Sequence, residues 1–207
     1  PEVSVETLSV DGVCHVIQIT DKLTTGAPHY VEMGHSQPTK LSKDIAEKIA
    51  DVARAANKAI GITNGPSHTE IIVTSEGPKI VELGARLGGD NITTHLVPLS
   101  TGVNMVECCI KIALGEKPDI DPKWNKGAAI RYFEQTAGIV KNIEGIEEAK
   151  KLSGIQQISI VHAIGEEVTE VTSSGARIGF VIAQDKNSEK AIQDCYLALN
   201  AIKIDIK

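Results

Sequence analysis

Apolar side chains alternate with polar ones along several short stretches of the chain, which is the pattern of half-buried strands. Residues 2–10 and 13–21 show it on either side of an Asp-Gly dipeptide, a pair that tolerates the positive φ values of a two-residue hairpin turn. Residues 68–74 and 78–84 repeat the arrangement around a loop that contains glycine. We therefore expect two antiparallel hairpins before the middle of the chain.

A longer, helical period follows the first hairpin. Between 45 and 60 the apolar residues recur at helical spacing, Ser42 is placed to act as the N-cap, and Gly61 is placed to end the helix. Residues 103–114 have the same period and predict a second helix. The expected apolar stripe of this second helix consists of Val103, Val106, Ile110 and Ala113.

The stretch 117–126 combines prolines, mixed charges and little periodicity, so we expect a linker between a first domain over 1–116 and a second domain over 127–207. Predicted strands alternate with predicted helices in the second domain. The whole pattern predicts an α+β protein with mostly antiparallel sheets. The strands are expected near 127–134, 137–143, 155–164, 177–184 and 202–206, and the helices near 144–153 and 187–201.

Composition and net charge exclude several classes of protein. With 42% hydrophobic residues, 23% charged residues and a net charge of −6, the chain is typical of a globular protein. A negative chain with 3% aromatic residues makes a poor nucleic-acid binder, because phosphates require clustered Lys and Arg. No apolar run reaches the roughly 18 residues of a membrane helix, so we expect no membrane partner. Four cysteines without Cys-x-x-Cys spacing indicate a reducing compartment and a cytoplasmic location, with the adjacent Cys108 and Cys109 buried as small apolar residues.

Two acidic residues of the second hairpin are candidates for chemistry. If Ser75-Glu76-Gly77 forms a three-residue loop, Glu70 lies directly opposite Glu82. Opposed side chains have Cβ atoms about 4.5–5.5 Å apart, where like charges repel each other. Because their neighbours are strongly apolar, such a pair needs a shared proton, a basic partner or a cation. Carboxylate oxygens suit Mg²⁺, which commonly binds one or two carboxylates together with substrate phosphates.

Alternatives stay open at this point. A register slip by one residue places both glutamates on a solvated face of the hairpin. Arg86 follows Glu82 by four residues and precedes a Leu-Gly-Gly segment, so it is placed to hold a phosphate or, equally, to form a salt bridge with a glutamate. His68 is either a partner of these acids or a structural residue.

The segments His68-Thr-Glu70 and Val81-Glu-Leu-Gly-Ala-Arg-Leu-Gly-Gly89 resemble the C-terminal half of the ATP-grasp fold. The similarity is to carboxylate–amine ligases such as L-amino-acid (dipeptide) ligases, with biotin carboxylase and glycinamide ribonucleotide synthetase as relatives. It implies that the first domain is the C-terminal lobe of this fold, an antiparallel sheet with helices. It implies that the second domain is a small α+β cap domain.

The resemblance also implies roles for the hairpin residues. Glu70 and Glu82 would bind Mg²⁺, or Mn²⁺ in its place, with Glu82 also contacting the nucleotide. Arg86 would be the catalytic residue that stabilises the transferring phosphoryl group. Gly84 stands where many members of the family have an asparagine ligand, which puts a complete two-metal site in question.

Further residues resemble positions that bind the cofactor or the substrates. Ile72 corresponds to the residue that packs on the adenine ring of ATP, and Glu6 to an inward-facing acid of the nucleotide site. Glu32 would recognise an ammonium group, His35 a phosphate or substrate, and Arg131 a substrate carboxylate. The alternatives are an exposed loop acid for Glu32, a hydrogen-bonded loop histidine for His35 and a strand-edge salt bridge for Arg131.

The implied reaction is the ATP- and Mg²⁺-dependent activation of a carboxylate as an acyl phosphate, followed by attack of an amine and release of ADP. The substrates would be small molecules, with amino acids as candidates. A carboxylase, a ribonucleotide–glycine ligase and a non-catalytic nucleotide-binding module are the alternatives, and a homodimer stays open. Because the chain begins at Pro1 without a methionine, we expect a fragment whose N-terminal partner is missing and which is inactive alone.

Overall fold

The computed structural model describes residues 1–207, which form eleven strands and five α-helices. The strands are β1 Glu2–Val10, β2 Val13–Thr24, β3 Glu32–Gln37, β4 Gly65–Thr74, β5 Gly77–Gly84, β6 Gly127–Tyr132, β7 Gly138–Glu144, β8 Ile155–Ile160, β9 Glu167–Val168, β10 Gly179–Asp185 and β11 Lys203–Ile206. The helices are α1 Lys43–Ile60, α2 Val97–Thr101, α3 Met105–Ala113, α4 Ile146–Ala149 and α5 Ser188–Ala201. This mixture confirms the predicted α+β class.

The chain packs into two compact units. The first unit contains Pro1–Lys22 and Gln37–Lys126, and the second contains Leu23–Ser36 and Gly127–Lys207. Residues 117–126 pack with the first unit, and residues 23–36 pack with the second. Contacts within compact units do not by themselves define domain boundaries, so the domains 1–116 and 127–207 expected from the sequence stay a prediction.

In the first unit the strands lie in the order β5-β4-β1-β2, and all three neighbouring pairs are antiparallel. The predicted first hairpin is confirmed, with Asp11 at φ 50° and Gly12 at φ 82° in its turn. One face of this sheet is apolar because alternate residues point to the same side. That face carries Val3, Val5, Ile19 and Ile71 and packs against Ile49 and Ala53 of α1.

Helix α1 confirms the bounds that the sequence predicted. It begins after Ser42 and ends at Gly61, which adopts the left-handed conformation at φ 78° and donates its backbone N–H to carbonyls of the last turn. The buried face of α3 differs from the prediction. Val106 and Ile110 are 38% and 57% exposed, whereas Met105 and Cys108 are buried. Both stripes have helical spacing, so only tertiary packing decides which of the two is covered.

The second unit has two sheets. One contains β3, β6, β10 and β8 in that order, and the other contains β11, β7 and β9. Helix α5 begins after Asn187, whose side chain accepts a hydrogen bond from the N–H of Lys190. Small residues of α5 join the core beside the sheet because they allow a close approach of the helix. These residues are Ala191, Cys195 and Ala198.

The structure also contains short elements that the sequence pattern did not predict. A π-helical turn spans Ile92–Leu96 and leads into α2, and β9 has two residues. Elements of this length lack a full period of alternation, so hydrophobic patterning does not reveal them. No single helix has the length and apolar character of a membrane span, although the bent pair Ile92–Thr101 and Met105–Ala113 passes that test when the two are taken together.

The left-handed end of α1 gives a testable prediction about stability. The Gly61→Ala substitution meets no atom within 4 Å, so its cost comes from the positive φ alone. We expect it to lower the free energy of unfolding by about 1 kcal/mol. Gly175→Ala is the matched control, because that position also has open space around it and has no positive φ. Equal destabilisation in urea melts of the two variants would contradict the assignment.

Candidate functional site

The predicted pairing of Glu70 with Glu82 is confirmed, but the predicted loop is wrong. Thr74 pairs with Gly77, so the loop contains two residues rather than three. The register then shifts by one position between Glu70 and Ile71, where β5 contains an extra residue. This β-bulge brings the two glutamates back into opposition. The register slip does not occur, but Glu82 is 57% exposed, so only Glu70 of the pair is partly buried.

Glu70 lies half-buried between two basic side chains. The Nζ atom of Lys22 is 2.8 Å from Oε1 of Glu70 and 2.5 Å from Oε1 of Glu2. The Nε2 atom of His68 is 3.6 Å from Oε1 of Glu70. The contact with His68 and the hydrogen bond from Lys22 outweigh burial and lower the pKa of Glu70 to about 2. The carboxylate is therefore charged and available as a ligand at any physiological pH.

His68 and Glu6 form a buried pair next to Glu70. The Nδ1 atom of His68 is 2.7 Å from Oε1 of Glu6, and both residues are shielded from solvent. Burial alone lowers the pKa of His68, but hydrogen bonds and charges from Glu6 and Glu70 together raise it to about 9. Gly88 packs on this pair so closely that an added Cβ would lie 2.7 Å from Nδ1 of His68. Glycine is therefore required where the loop crosses the pair.

Arg86 and Glu82 form the solvent-facing side of the site. The Nη2 atom of Arg86 is 3.5 Å from Oε1 of Glu82, and the two side chains are 54% and 57% exposed. The Nη1 atom donates a hydrogen bond to the carbonyl oxygen of Leu87 at 3.1 Å. An exposed pair of this kind contributes little to stability, so Arg86 can turn toward another anion at low cost. An added Cβ at Gly84 would lie 3.1 Å from the Arg86 side chain.

The donor set fits a magnesium ion. Glu70 and Glu82 are opposed on neighbouring strands, and Glu82 is open to solvent. No group of three or more potential protein ligands converges on one point. Mg²⁺ is commonly bound by one or two carboxylates, with phosphate oxygens and waters completing the octahedron, so two carboxylates suit it.

The nucleotide-binding residues predicted from the resemblance have different environments. Ile72 is 41% exposed and therefore open to contact with a planar ring. Glu6 is fully buried, and the contact that it makes is with His68. Its role in cofactor binding stays a prediction.

Three predicted substrate residues lie in the second unit, and their roles stay predictions. The carbonyl oxygen of Glu32 accepts a hydrogen bond from Arg177 at 2.8 Å. His35 is buried in β3 rather than placed in a loop. Arg131 is buried and donates to the carbonyl oxygens of His35 and Ile130, so the strand-edge salt bridge considered for it does not form.

Sequence reasoning missed two members of the first-unit site, Lys22 and Glu2. Both are charged residues in strands whose other positions are largely apolar, and that was the available signal. Lys22 contacts Glu70 directly, and Glu2 joins the site through Lys22. Both contacts depend on β1 and β4 being neighbours, a pairing across some 60 positions of the chain that patterning does not reveal.

The fold matches the C-terminal part of ATP-grasp structures, and two family models match parts of the chain. Residues 1–94 match the ATP-grasp domain, and residues 131–207 match the L-amino acid ligase C-terminal domain 2. The first part of the chain is therefore similar to an ATP-grasp domain, and the last part is similar to the C-terminal domain 2 of L-amino acid ligases.

Individual relatives include ligases of the same kind. An L-arginine-specific L-amino acid ligase of Bacillus subtilis is 28% identical over 144 residues, which covers 67% of this chain and 34% of that protein. The crystal structure of an L-amino acid ligase from Bacillus licheniformis superposes with a TM-score of 0.87 at 25% identity, covering all of this chain and 52% of the other. Phosphoribosylglycinamide synthetase from Anaerococcus prevotii shares the fold, with a TM-score of 0.88 at 23% identity, 100% coverage of this chain and 53% of its own. The chain thus spans about half the length of these two solved structures and about a third of the length of the L-arginine-specific ligase.

The raised pKa of His68 predicts a pH dependence of stability. A group whose pKa is higher in the folded state than in the unfolded state stabilises the folded state. For His68 this stabilisation is complete at pH values below its ordinary pKa of 6.5, and it disappears as the pH rises through about 9. We expect the difference in unfolding free energy between the wild type and His68→Gln to shrink over this interval. Urea denaturation at a series of pH values measures it.

His162→Gln provides the control for this prediction. His162 also faces a carboxylate, with Nδ1 3.2 Å from Oε2 of Glu166, but that carboxylate is exposed. The pH-dependent part of the wild-type stability should persist in this variant. If His68→Gln and His162→Gln respond to pH in the same way, the buried pair does not have the assigned charge state.

Proposed function

We propose that the chain is the part of an ATP-dependent ligase that holds Mg²⁺ and the phosphates of ATP while a carboxylate is activated and joined to an amine. The observation that carries the proposal is the opposition of Glu70 and Glu82 on neighbouring strands, next to the exposed side chain of Arg86. The match of residues 1–94 to the ATP-grasp domain supports it, as do the C–N-bond-forming ligases among the relatives.

Each site residue has a role in this reaction. Glu70 and Glu82 hold the ion, which when bound neutralises negative charge on the phosphate oxygens. Lys22 and His68 keep Glu70 ionised and limit its motion, because they contact it from two sides. Arg86 presents its guanidinium to the transferring phosphoryl group and stabilises the charge that spreads over its oxygens. Ile72 offers an exposed apolar side chain to the adenine ring.

The product class is a molecule with a new amide bond, formed when an amine attacks the acyl phosphate and phosphate leaves. We propose small-molecule substrates, with amino acids as candidates, because the last part of the chain is similar to the C-terminal domain 2 of L-amino acid ligases. Glu32, His35 and Arg131 are the proposed substrate residues. We also propose that the rest of the ATP site belongs to a further part of the same protein. A cytoplasmic location is proposed from the four free cysteines.

A non-catalytic nucleotide-binding module is the second candidate function. The observation in its favour is Gly84, which supplies no side-chain ligand between Glu82 and Arg86. Carboxylation and ribonucleotide–glycine ligation are alternatives within the superfamily. Product analysis separates these alternatives. A non-catalytic module forms no ADP, a carboxylase forms ADP together with a carboxylated product, and the two ligations differ in the amine that becomes part of the new amide.

Replacing a proposed metal ligand tests the proposal in the full-length protein. We expect Glu82→Gln to weaken Mg²⁺-dependent ATP binding roughly tenfold to hundredfold, because one charge-assisted contact is lost. Glu76→Gln is the matched control, since Glu76 is an exposed glutamate in the loop of the same hairpin. Calorimetry with and without Mg²⁺ measures binding, and ADP release with pairs of amino acids measures turnover. Unchanged turnover in Glu82→Gln would move the chemistry away from this hairpin.

Replacing Arg86 tests the catalytic role separately from binding. Arg86→Met should lower kcat of the full-length protein by about 10²–10³-fold, with a much smaller change in ATP affinity, because its guanidinium acts on charge that develops during phosphoryl transfer. Arg54→Met is the control, since Arg54 also forms an exposed pair, with Asp51 at 2.9 Å, but on α1. Equal kcat values for the two variants would show that Arg86 is a surface salt-bridge residue.

A further inference from the structure

Glu6 is a fully buried carboxylate close to the proposed metal ligands, and one of its two oxygens is unsatisfied. It lies in β1 directly opposite His68 of β4, and its Oε1 atom is 2.7 Å from Nδ1 of that histidine. The second oxygen, Oε2, has no hydrogen-bond partner in the protein. A buried carboxylate oxygen without a donor is unfavourable for stability, because it has lost its hydration without replacement. The presence of Glu6 therefore indicates a role other than stabilising the sheet.

His68 connects Glu6 with the metal carboxylate. Because His68 and Glu70 are two positions apart in β4, their side chains lie on the same face of the sheet. Nδ1 of His68 faces Glu6, and Nε2 lies 3.6 Å from Oε1 of Glu70. An imidazole that is held at one ring nitrogen has a fixed orientation, so the contact with Glu6 keeps the other nitrogen directed toward Glu70.

The same pair supports the loop that follows Arg86. An ideal Cβ on Gly88 would lie 2.7 Å from Nδ1 of His68 and 2.8 Å from Oε2 of Glu6, so the backbone of Gly88 rests directly on both side chains. In addition, the buried hydroxyl of Thr93 donates a hydrogen bond to the carbonyl oxygen of Gly88 at 2.8 Å. The position of Gly88 is thus fixed by the Glu6–His68 pair and by Thr93 together.

Hydrogen bonds to the neighbouring carbonyls tie Arg86 to this loop. Nη1 of Arg86 donates to the carbonyl oxygen of Leu87 at 3.1 Å, and the backbone N–H of Ile92 donates to that of Gly89 at 2.8 Å. All three carbonyl oxygens of 87–89 therefore accept a hydrogen bond. A displacement of the loop moves the carbonyl of Leu87, and with it the guanidinium that the proposed reaction uses.

We propose that Glu6 is a positioning residue for both halves of the phosphoryl-transfer site. Through His68 it holds the carboxylate of Glu70, and through Gly88 it holds the loop that carries Arg86. This role rests on the proposed function, but it requires no contact between Glu6 and the nucleotide, unlike the cofactor contact that the sequence resemblance implies. Replacing the partner of a metal ligand commonly weakens metal binding by about 10–100-fold.

Glu6→Gln in the full-length protein tests the link to the metal ligand. The amide keeps the size of the side chain and removes its negative charge. We expect Mg²⁺-dependent ATP binding, measured by calorimetry over a series of Mg²⁺ concentrations, to require about tenfold more Mg²⁺ than in the wild type. ATP binding in EDTA should not change, because a positioning residue does not touch the nucleotide. An unchanged Mg²⁺ requirement, or weaker ATP binding in EDTA, would overturn the proposal.

Thr93→Val tests the link to Arg86, because it removes the donor to Gly88 and keeps the shape of the side chain. We expect kcat to fall by at least about tenfold, since a small displacement of a reacting group is costly, while the Mg²⁺ requirement stays that of the wild type. In the protein without metal and nucleotide, the amide hydrogen of Ile92 should exchange faster in Thr93→Val and in Glu6→Gln. An unchanged kcat in Thr93→Val, or unchanged exchange in both variants, would contradict the proposal.

Asp194→Asn is the matched control for the loss of a buried carboxylate. Asp194 is 2% exposed, has one oxygen without a partner and pairs with Lys190, but it lies in α5 of the second unit. This variant should lose stability in urea melts without a change in the Mg²⁺ requirement or in kcat. If it changes the Mg²⁺ requirement as much as Glu6→Gln does, the effect is a general loss of stability and the proposal fails.

Glu82→Gln, measured in parallel, distinguishes failure of the positioning role from failure of the proposed function. If Glu82→Gln leaves Mg²⁺-dependent ATP binding unchanged, the proposed function fails, and the role of Glu6 fails with it. If Glu82→Gln weakens this binding and Glu6→Gln does not, the metal site stands and only the positioning role is wrong.

Discussion

Three acidic and two basic side chains share one face of a sheet in the first unit, and their mutual neutralisation is the constraint on which the site depends. The acids are Glu2, Glu6 and Glu70, and the bases are Lys22 and His68, linked in one continuous series of contacts. An isolated charge at a buried position is strongly disfavoured. Because each charge here has an opposite neighbour, the sheet tolerates the acids at positions where patterning would place apolar residues.

This arrangement follows from the geometry of strands. The residues Val3, Val5 and Ile71 point toward α1 and form the apolar core. Their alternate neighbours, including Glu6 and Glu70, must then point to the opposite face. The packing of α1 against one face of the sheet therefore leaves the acidic and basic side chains on the opposite face. The β-bulge in β5 then places Glu82 directly opposite Glu70 on the neighbouring strand.

The buried charged side chains of the two units have different kinds of partners. In the first unit the partners of the buried charges are oppositely charged side chains of the protein. In the second unit Arg131 donates hydrogen bonds to backbone carbonyls and lies over the ring of Tyr196. Carbonyl dipoles orient a guanidinium but do not neutralise its charge.

The sequence by itself determined the strands of both hairpins and the ends of α1, because these depend on residues close together in the chain and on local periodicity. The pairing of Glu70 with Glu82 was predicted correctly from an incorrect loop. The sequence misassigned the loop of the second hairpin, since a bulge elsewhere in β5 compensated for the difference of one residue. Only the tertiary structure decided which face of α3 is buried, that Lys22 and Glu2 belong to the site, and that Arg131 is buried. These outcomes depend on which distant strands and helices become neighbours, and a period of two or of 3.6 residues carries no information about that choice.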